Sequence, residues 1–205
     1  LHMIGQDYTI EGIFLTHAHY GHYSGIYQLG LEVMNLKNIP VYAMSLMENF
    51  LTDNASINFL IKSGNILINR ITENNEFFLN SNISVSSFIV PHRNEMSETV
   101  GYRIKSSNKT IIYLPDIDSW KEWKYDILRL IKDNDILFLD GTFYSKKEIK
   151  SRNVKKIPHP SIEESIENFD KLELIDKNKI FFTHLNHTNI LLDKSSTEYK
   201  KVIDL

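Results

Sequence analysis

Three histidines, His17, His19 and His22, fall within six positions of the stretch "THAHYGH", directly after the apolar run "IEGIFL". Imidazoles this close repel one another when protonated, and their neutral nitrogens are good ligands for zinc and other first-row divalent ions. His17 and His19, two residues apart, can converge on one ion from a loop, while His22 is offset toward a neighbouring position. A metal-competent side chain at the end of an apolar run then recurs along the chain. His92 follows "ISVSSFIVP", Asp116 follows "KTIIYLP", Asp140 ends "ILFLD", and His184 ends "KIFFT" with His187 three residues later. His17, His19, His22, His92, Asp116 and His184 are therefore the candidate metal ligands. A catalytic metal keeps one position open, and a water bound there becomes a nucleophile near neutral pH. Other residues have plainer readings. Asp118 is a substitute for Asp116 or a helix-capping neighbour, and Asp140, before Gly141, reads more readily as a turn residue than as a ligand. His187 either supports a ligand or is one. His2 and His159 stand alone and read as surface or hydrogen-bonded residues.

The elements that must carry these side chains follow from apolar spacing. Short strands are expected at 12–16, 39–44, 66–71, 77–80, 83–90, 99–106, 109–115, 135–141 and 179–184, with a hairpin at "SNK" between the sixth and seventh. Ile26, Leu29 and Val33 lie at helical spacing over 23–35. A helix over 45–63 is expected to break near Asp53 and Asn54. The segment 119–132 reads as an amphipathic helix capped by Ser119, and 161–172 as a helix starting at Ser161, with Glu163 and Glu164 suited to its positive end. Strands and helices alternate in the second half, which gives an α/β layered fold. In such folds strand ends border the crevice where ligands bind.

The composition excludes several classes. With 23 Lys plus Arg against 26 Asp plus Glu, the net charge of −3 gives no basic face for a polyanion, so no nucleic-acid partner is expected. The absence of cysteine removes disulfides, cysteine-based zinc sites and thiol nucleophiles. No apolar run approaches the roughly 20 residues of a membrane span, and "LHMIGQDYTI" lacks the regions of a signal peptide. No membrane association and a cytoplasmic location are the expectations. The chain opens on Leu1 rather than methionine, so part of a natural N-terminus is expected to be missing.

"THAHYGH", followed in order by a strand-end His, a strand-end Asp and a last strand-end His, resembles the metallo-β-lactamase superfamily. "VPHRNEMSETVGYRI", "YLPDIDSW", "LDGTFY" and "THLNHTN" resemble the branch around pyrroloquinoline-quinone biosynthesis protein B. The resemblance runs from about Ile10 to Leu192. It implies one αββα sandwich with the metal site at an edge between two sheets. His17, His19 and His92 would form a three-histidine site, Asp116 a bridging carboxylate, and His22 with His184 a second site, with Asp116 and His184 taking part in catalysis. Two departures stand out. The family pattern His-x-His-x-Asp-His has Gly21 where the Asp would bind the second ion and orient the water. Only about fifteen residues precede the first motif, so the fold is expected to lack its N-terminal strands. That would leave an edge or an apolar face open to self-association.

The implied activity is a metal-dependent hydrolase acting on a small-molecule or peptide substrate through one or two divalent ions, zinc foremost. Two histidines and a carboxylate are also the ligand set of iron(II) oxygenases, and the quinone-biosynthesis relative is regarded as an iron-dependent hydroxylase. An incomplete, non-catalytic domain is the third alternative. Tyr20, Tyr23, Phe143 and Tyr144 either line a pocket or belong to the core. The loop "SRNVKKIPHP" has the length of a lid.

Overall fold

The computed structural model describes residues 9–148 and 158–203, so most of the lid segment, residues 149–157, and His2 lie outside the described residues. Two sheets form the body. β1 (Ile13–Phe14), β2 (Ile39–Ala43) and β3 (Ile66–Arg70) make a parallel three-stranded sheet in that order. β4 (Glu76–Asn80), β5 (Ile83–Ile89), β6 (Val100–Lys105), β7 (Thr110–Leu114), β8 (Ile136–Asp140) and β9 (Ile180–Thr183) make a six-stranded sheet in chain order. It is antiparallel through β7 and parallel from β7 to β9. The hairpin between β6 and β7 closes at Ser106 and Lys109, as "SNK" suggests. Parallel pairing needs a crossover. α4 (Ile127–Lys132) lies in the β7–β8 crossover, and α5 (Ile162–Phe169) with α6 (Leu174–Lys177) in the β8–β9 crossover.

The layers are set by which side of each strand is apolar. In β4, Phe77 and Leu79 turn inward while Glu76, Phe78 and Asn80 are exposed, the period of two that a half-buried strand requires. Phe77 and Leu79 meet Phe14, Tyr42, Val85, Val100 and Tyr102 between the two sheets. Outside the smaller sheet, α2 (Ser45–Asp53) and α3 (Ala55–Lys62) cover Val41, Ala43 and Ile66 with Met47, Leu51, Ile57 and Leu60. Outside the larger sheet, Ile112, Leu114, Leu137 and Leu139 pack under Ile127, Ile131 and Phe169. The result is the expected αββα order. The smaller sheet covers the β4–β6 side of the larger one. Tyr113, Phe138 and Phe181, which lie in register across β7–β9, stay partly exposed.

Two expected helices differ. In place of a helix over 23–35 there is one turn, α1 (Tyr20–Tyr23), then a 3₁₀ segment Ser24–Leu29 that buries Ile26 and Leu29. Gly30 turns the chain to an extended conformation and Asn35 takes a positive φ of 46°, so Val33 ends up exposed. In place of a helix over 119–132, only Ile127–Lys132 is helical, and its cap is Asp126 rather than Ser119. Trp120 and Trp123 explain the difference. A buried indole N–H needs an acceptor; Trp120 donates to Ser165 Oγ at 2.9 Å and Trp123 to the Ile89 carbonyl at 3.0 Å. Those acceptors lie on α5 and β5, and the irregular chain over 119–126 serves both. The break between α2 and α3 and the Ser161 cap of α5 lie where expected.

Candidate metal centre

The end of β1 is fixed to both sheets. Leu15 N–H donates to the Tyr42 carbonyl, and Val100 N–H donates to the Thr16 carbonyl, each at 3.1 Å. His17 follows immediately, and the Ala18 N–H is held by Ser97 Oγ at 2.9 Å. His19 sits before α1 in extended conformation, and that single turn brings His22 back toward the strand end. His92 follows β5, Asp116 follows β7, and His184 follows β9 with a positive φ of 61°. A non-glycine residue there costs of order 1–3 kcal/mol and persists only where its surroundings hold it. Asn186 N–H on the Thr142 carbonyl and Asn189 Nδ2 on the Gly141 and Thr142 carbonyls supply that hold.

All six candidate ligands meet. His17 Nε2 lies 2.9 Å from His19 Nδ1, which is 3.4 Å from His92 Nε2. His22 Nε2 lies 2.9 Å from His184 Nε2. Between the two groups is the Asp116 carboxylate. Its Oδ2 is 3.4 Å from His17 Nε2 and from His22 Nε2 and 3.9 Å from His184 Nε2, and its Oδ1 is 3.4 Å from His92 Nε2. Single ligand atoms of His17, His19, His92 and Asp116, and of His22, Asp116 and His184, lie close enough for each group to hold one ion. Those of Asp116, Asp140 and His159 also lie close, but there Asp140 Oδ2 already accepts from His159 Nδ1.

The outer nitrogens of the rings have their own partners, which set the tautomers. His92 Nδ1–H donates to Asp118 Oδ1 at 2.6 Å, so Asp118 orients a ligand and does not replace Asp116. Thr142 has one hydroxyl hydrogen and gives it to Asp140 Oδ1 at 2.7 Å. Its 2.8 Å contact with His184 Nδ1 therefore runs from the ring to the hydroxyl, which leaves His184 Nε2 bare. Thr16 Oγ1 lies 3.1 Å from His17 Nδ1 and 3.4 Å from His22 Nδ1.

The protonation states agree. Burial first, then the charges of the neighbouring histidines, pushes His17 down to about 2 and His22 to about 4. Burial followed by His159 and His19 takes His92 to about 3. His19 and His184 are also lowered, chiefly by burial. At neutral pH these rings are uncharged, with lone pairs turned inward. Asp116 is pushed up to about 7 by burial and then by the charge of Asp140. Its Oδ1 is buried without a hydrogen-bond donor, an arrangement that native interiors leave rare. Imidazole nitrogens gathered on both oxygens of a buried carboxylate, one of which has no hydrogen-bond partner, fit a divalent cation.

His159 is a correction to the sequence reading. It is no isolated surface residue: its Nδ1–H donates to Asp140 Oδ2 at 2.9 Å, with Asp116 Oδ1 3.2 Å away. Burial by itself would lower its pKa, but the hydrogen bond and charge of Asp140, with the charges of Asp116 and Asp118, outweigh that and raise it. Asp140 is more than a turn residue. It is fully buried and accepts from Ile117 N–H, Thr142 N–H and Thr142 Oγ1–H as well as from His159. His187 is exposed and joins none of the ligand groups among the described residues. The four aromatics divide. Tyr144 is core beside Ile162 and Leu191, Tyr23 packs edge-on against Phe50, Phe143 lies edge-on to His159 at 5.9 Å, and Tyr20 is exposed.

The family described as the beta-lactamase superfamily domain matches residues 5–185. Among solved structures, the fold is similar to Zn(2+)-bound PqqB from Methylobacterium extorquens. The TM-score is 0.76 at 22% identity, over 94% of this chain and 68% of that chain. It is also similar to unliganded yeast PDE1, with a TM-score of 0.61 at 14% identity over 93% of this chain and 62% of that one. Human tRNase Z, short form, gives a TM-score of 0.56 at 14% identity over 86% of this chain and 73% of that one. At such identities the likeness is one of fold. No curated protein matches the sequence.

Proposed function

This chain belongs to the beta-lactamase superfamily, and from that premise we propose that it is a metal-dependent hydrolase that cleaves an ester or phosphoester bond in a small-molecule or peptide substrate. The observation that carries this reading is the set of neutral imidazole nitrogens gathered on the buried carboxylate of Asp116, whose Oδ1 has no hydrogen-bond partner. His17, His19, His92 and Asp116 would hold one divalent ion, zinc foremost, and His22, His184 and Asp116 a second. Bound there, such an ion supplies Lewis acidity toward the scissile group and lowers the pKa of a water to near neutral. The chain's own residues do the rest. Asp118, Thr16 and Thr142 fix the ring orientations before substrate arrives. His159, whose pKa is raised by the hydrogen bond and charge of Asp140 and the charge of Asp116, is the group suited to give a proton to the departing oxygen. The net charge of −3 favours a compact substrate over a nucleic acid.

The test is hydrolysis of a panel of esters and phosphodiesters by metal-loaded protein purified without a His tag, compared with a His17→Ala, His19→Ala double variant. A loss of at least about 10³-fold is expected, since removing the ion forfeits several kcal/mol of transition-state stabilisation. Full activity in the double variant would sink the reading. A second reading has its own observation: His22, His184 and Asp116 are two histidines and a carboxylate, the iron(II) oxygenase set. It would be favoured by iron retained anaerobically together with oxygen uptake, and removed by hydrolysis with zinc and no oxygen uptake with iron.

A further inference from the structure

The two groups of ligands do not offer an ion the same thing. The first has four protein ligands and the second three, with Asp116 common to both. His17 and His92, in the first, have side chains only 1% exposed and outer nitrogens engaged by Thr16 and Asp118. His19, also in the first, is 23% exposed. In the second, His22 is 14% and His184 29% exposed, so neither histidine there is as deeply enclosed as His17 and His92. Resting on the ligand assignment above, we propose that the two positions are unequal. The chain retains one divalent ion at His17, His19, His92 and Asp116, and takes a second at His22, His184 and Asp116 only at much higher concentration.

Charge gives the second reason. Two dications side by side repel, and only anionic ligands in contact with them offset that repulsion. Asp116 is the one carboxylate belonging to either group; its Oδ1 faces His92, and its Oδ2 is shared, 3.4 Å from both His17 and His22, so one carboxylate must serve both ions. Asp140, a buried carboxylate of the same centre, cannot turn to the second ion without giving up Ile117 N–H, Thr142 N–H, Thr142 Oγ1–H and His159. No carboxylate comes from α1 either. Gly21, the residue before His22, carries no side chain, and a Cβ built there would meet nothing within 4 Å. The second position is thus short by one anionic ligand, with room for one. A substrate carboxylate or phosphate is the kind of group that would complete it, which would tie occupancy of the second position to anionic substrates.

The experiment is a Zn²⁺ titration of the chelator-stripped full chain against a chromophoric competitor, with ions per chain counted by native mass spectrometry. Loss of an outer-shell partner alone weakens a metal site about 10–100-fold, so a missing direct ligand should separate the two dissociation constants by more than about 100-fold. His22→Ala and His184→Ala should keep the tight equivalent, and His17→Ala should lose it. Gly21→Asp should bring the two constants to within about tenfold of each other. Two equivalents of equal affinity in the unaltered chain would overturn the proposal, as would a tight equivalent that survives His17→Ala but not His184→Ala. No bound ion at any concentration would defeat the ligand assignment itself. Should Gly21→Asp not fold, the histidine variants still decide the matter.

Discussion

His159 has its pKa raised where those of its neighbours are lowered, although all are buried imidazoles within one centre. The difference lies in what each ring faces: His17, His22 and His92 face other imidazoles, whereas His159 faces Asp140 and Asp116. A protonated imidazole beside the centre is a general acid, and such groups contribute about 10²–10⁴-fold to rate. His159→Ala should therefore lower kcat by that factor while metal content, counted by mass spectrometry, stays unchanged. Loss of the ion along with the activity would make His159 a ligand instead. His17, His92 and His184 were legible from sequence because each closes an apolar run, with His19 and His22 clustered beside the first, and the ends of β1, β5, β7 and β9 meet at one edge of the sandwich. His159 closes no strand. Its position depends on a loop path and on Asp140, whose burial is set by three donors that no spacing rule reveals. "PHP", with its His 19 residues after a strand-end Asp, is the only trace of it.

Among the elements, the break between α2 and α3 shows how a single polar residue divides a helix. Asn54 takes φ −77°, ψ 113°, outside the helical region, and its Oδ1 accepts from Ser56 N–H at 3.1 Å and Ile57 N–H at 3.2 Å. The same oxygen receives the Tyr27 hydroxyl at 3.5 Å. Asn54→Ala should cost about 1 kcal/mol, within the usual range for a lost cap, read as a lower urea midpoint with an unchanged m-value. A change under about 0.3 kcal/mol would mean that water replaces the side chain at no cost. This break could be read from the sequence because capping chemistry is local. The 119–132 segment could not, because its conformation is decided by Trp120 and Trp123 reaching Ser165 and the Ile89 carbonyl, 45 and 34 residues away in the chain. Apolar periodicity registers that two indoles are buried, not that their N–H groups need different partners.

At the scale of the whole molecule, the centre is where the two sheets are joined. His17, His19 and His22 come from the end of the smaller sheet's β1; His92, Asp116 and His184 come from strand ends of the larger one. The direct backbone link beside the centre is Val100 N–H on the Thr16 carbonyl. Alternating strands and helices announce this αββα order in the sequence, but the dependence of one layer on the other through the ligands appears only when the ring nitrogens are seen to converge. An ion held by both sheets binds the folded chain and not the unfolded one, so its binding energy adds to folding stability. At a free ion concentration about 1,000 times the dissociation constant, the gain is about 4 kcal/mol. For a chain of this size that raises Tm by roughly 8–16 °C. Calorimetry of the chelator-stripped chain and the zinc-loaded chain should show that rise as one shifted transition, since both sheets supply ligands. The His17→Ala, His19→Ala double variant should show little of it. Equal Tm values for stripped and loaded protein, with the ion counts verified, would mean that the convergent histidines do not hold a metal in the folded chain, and the hydrolase reading would fall with them.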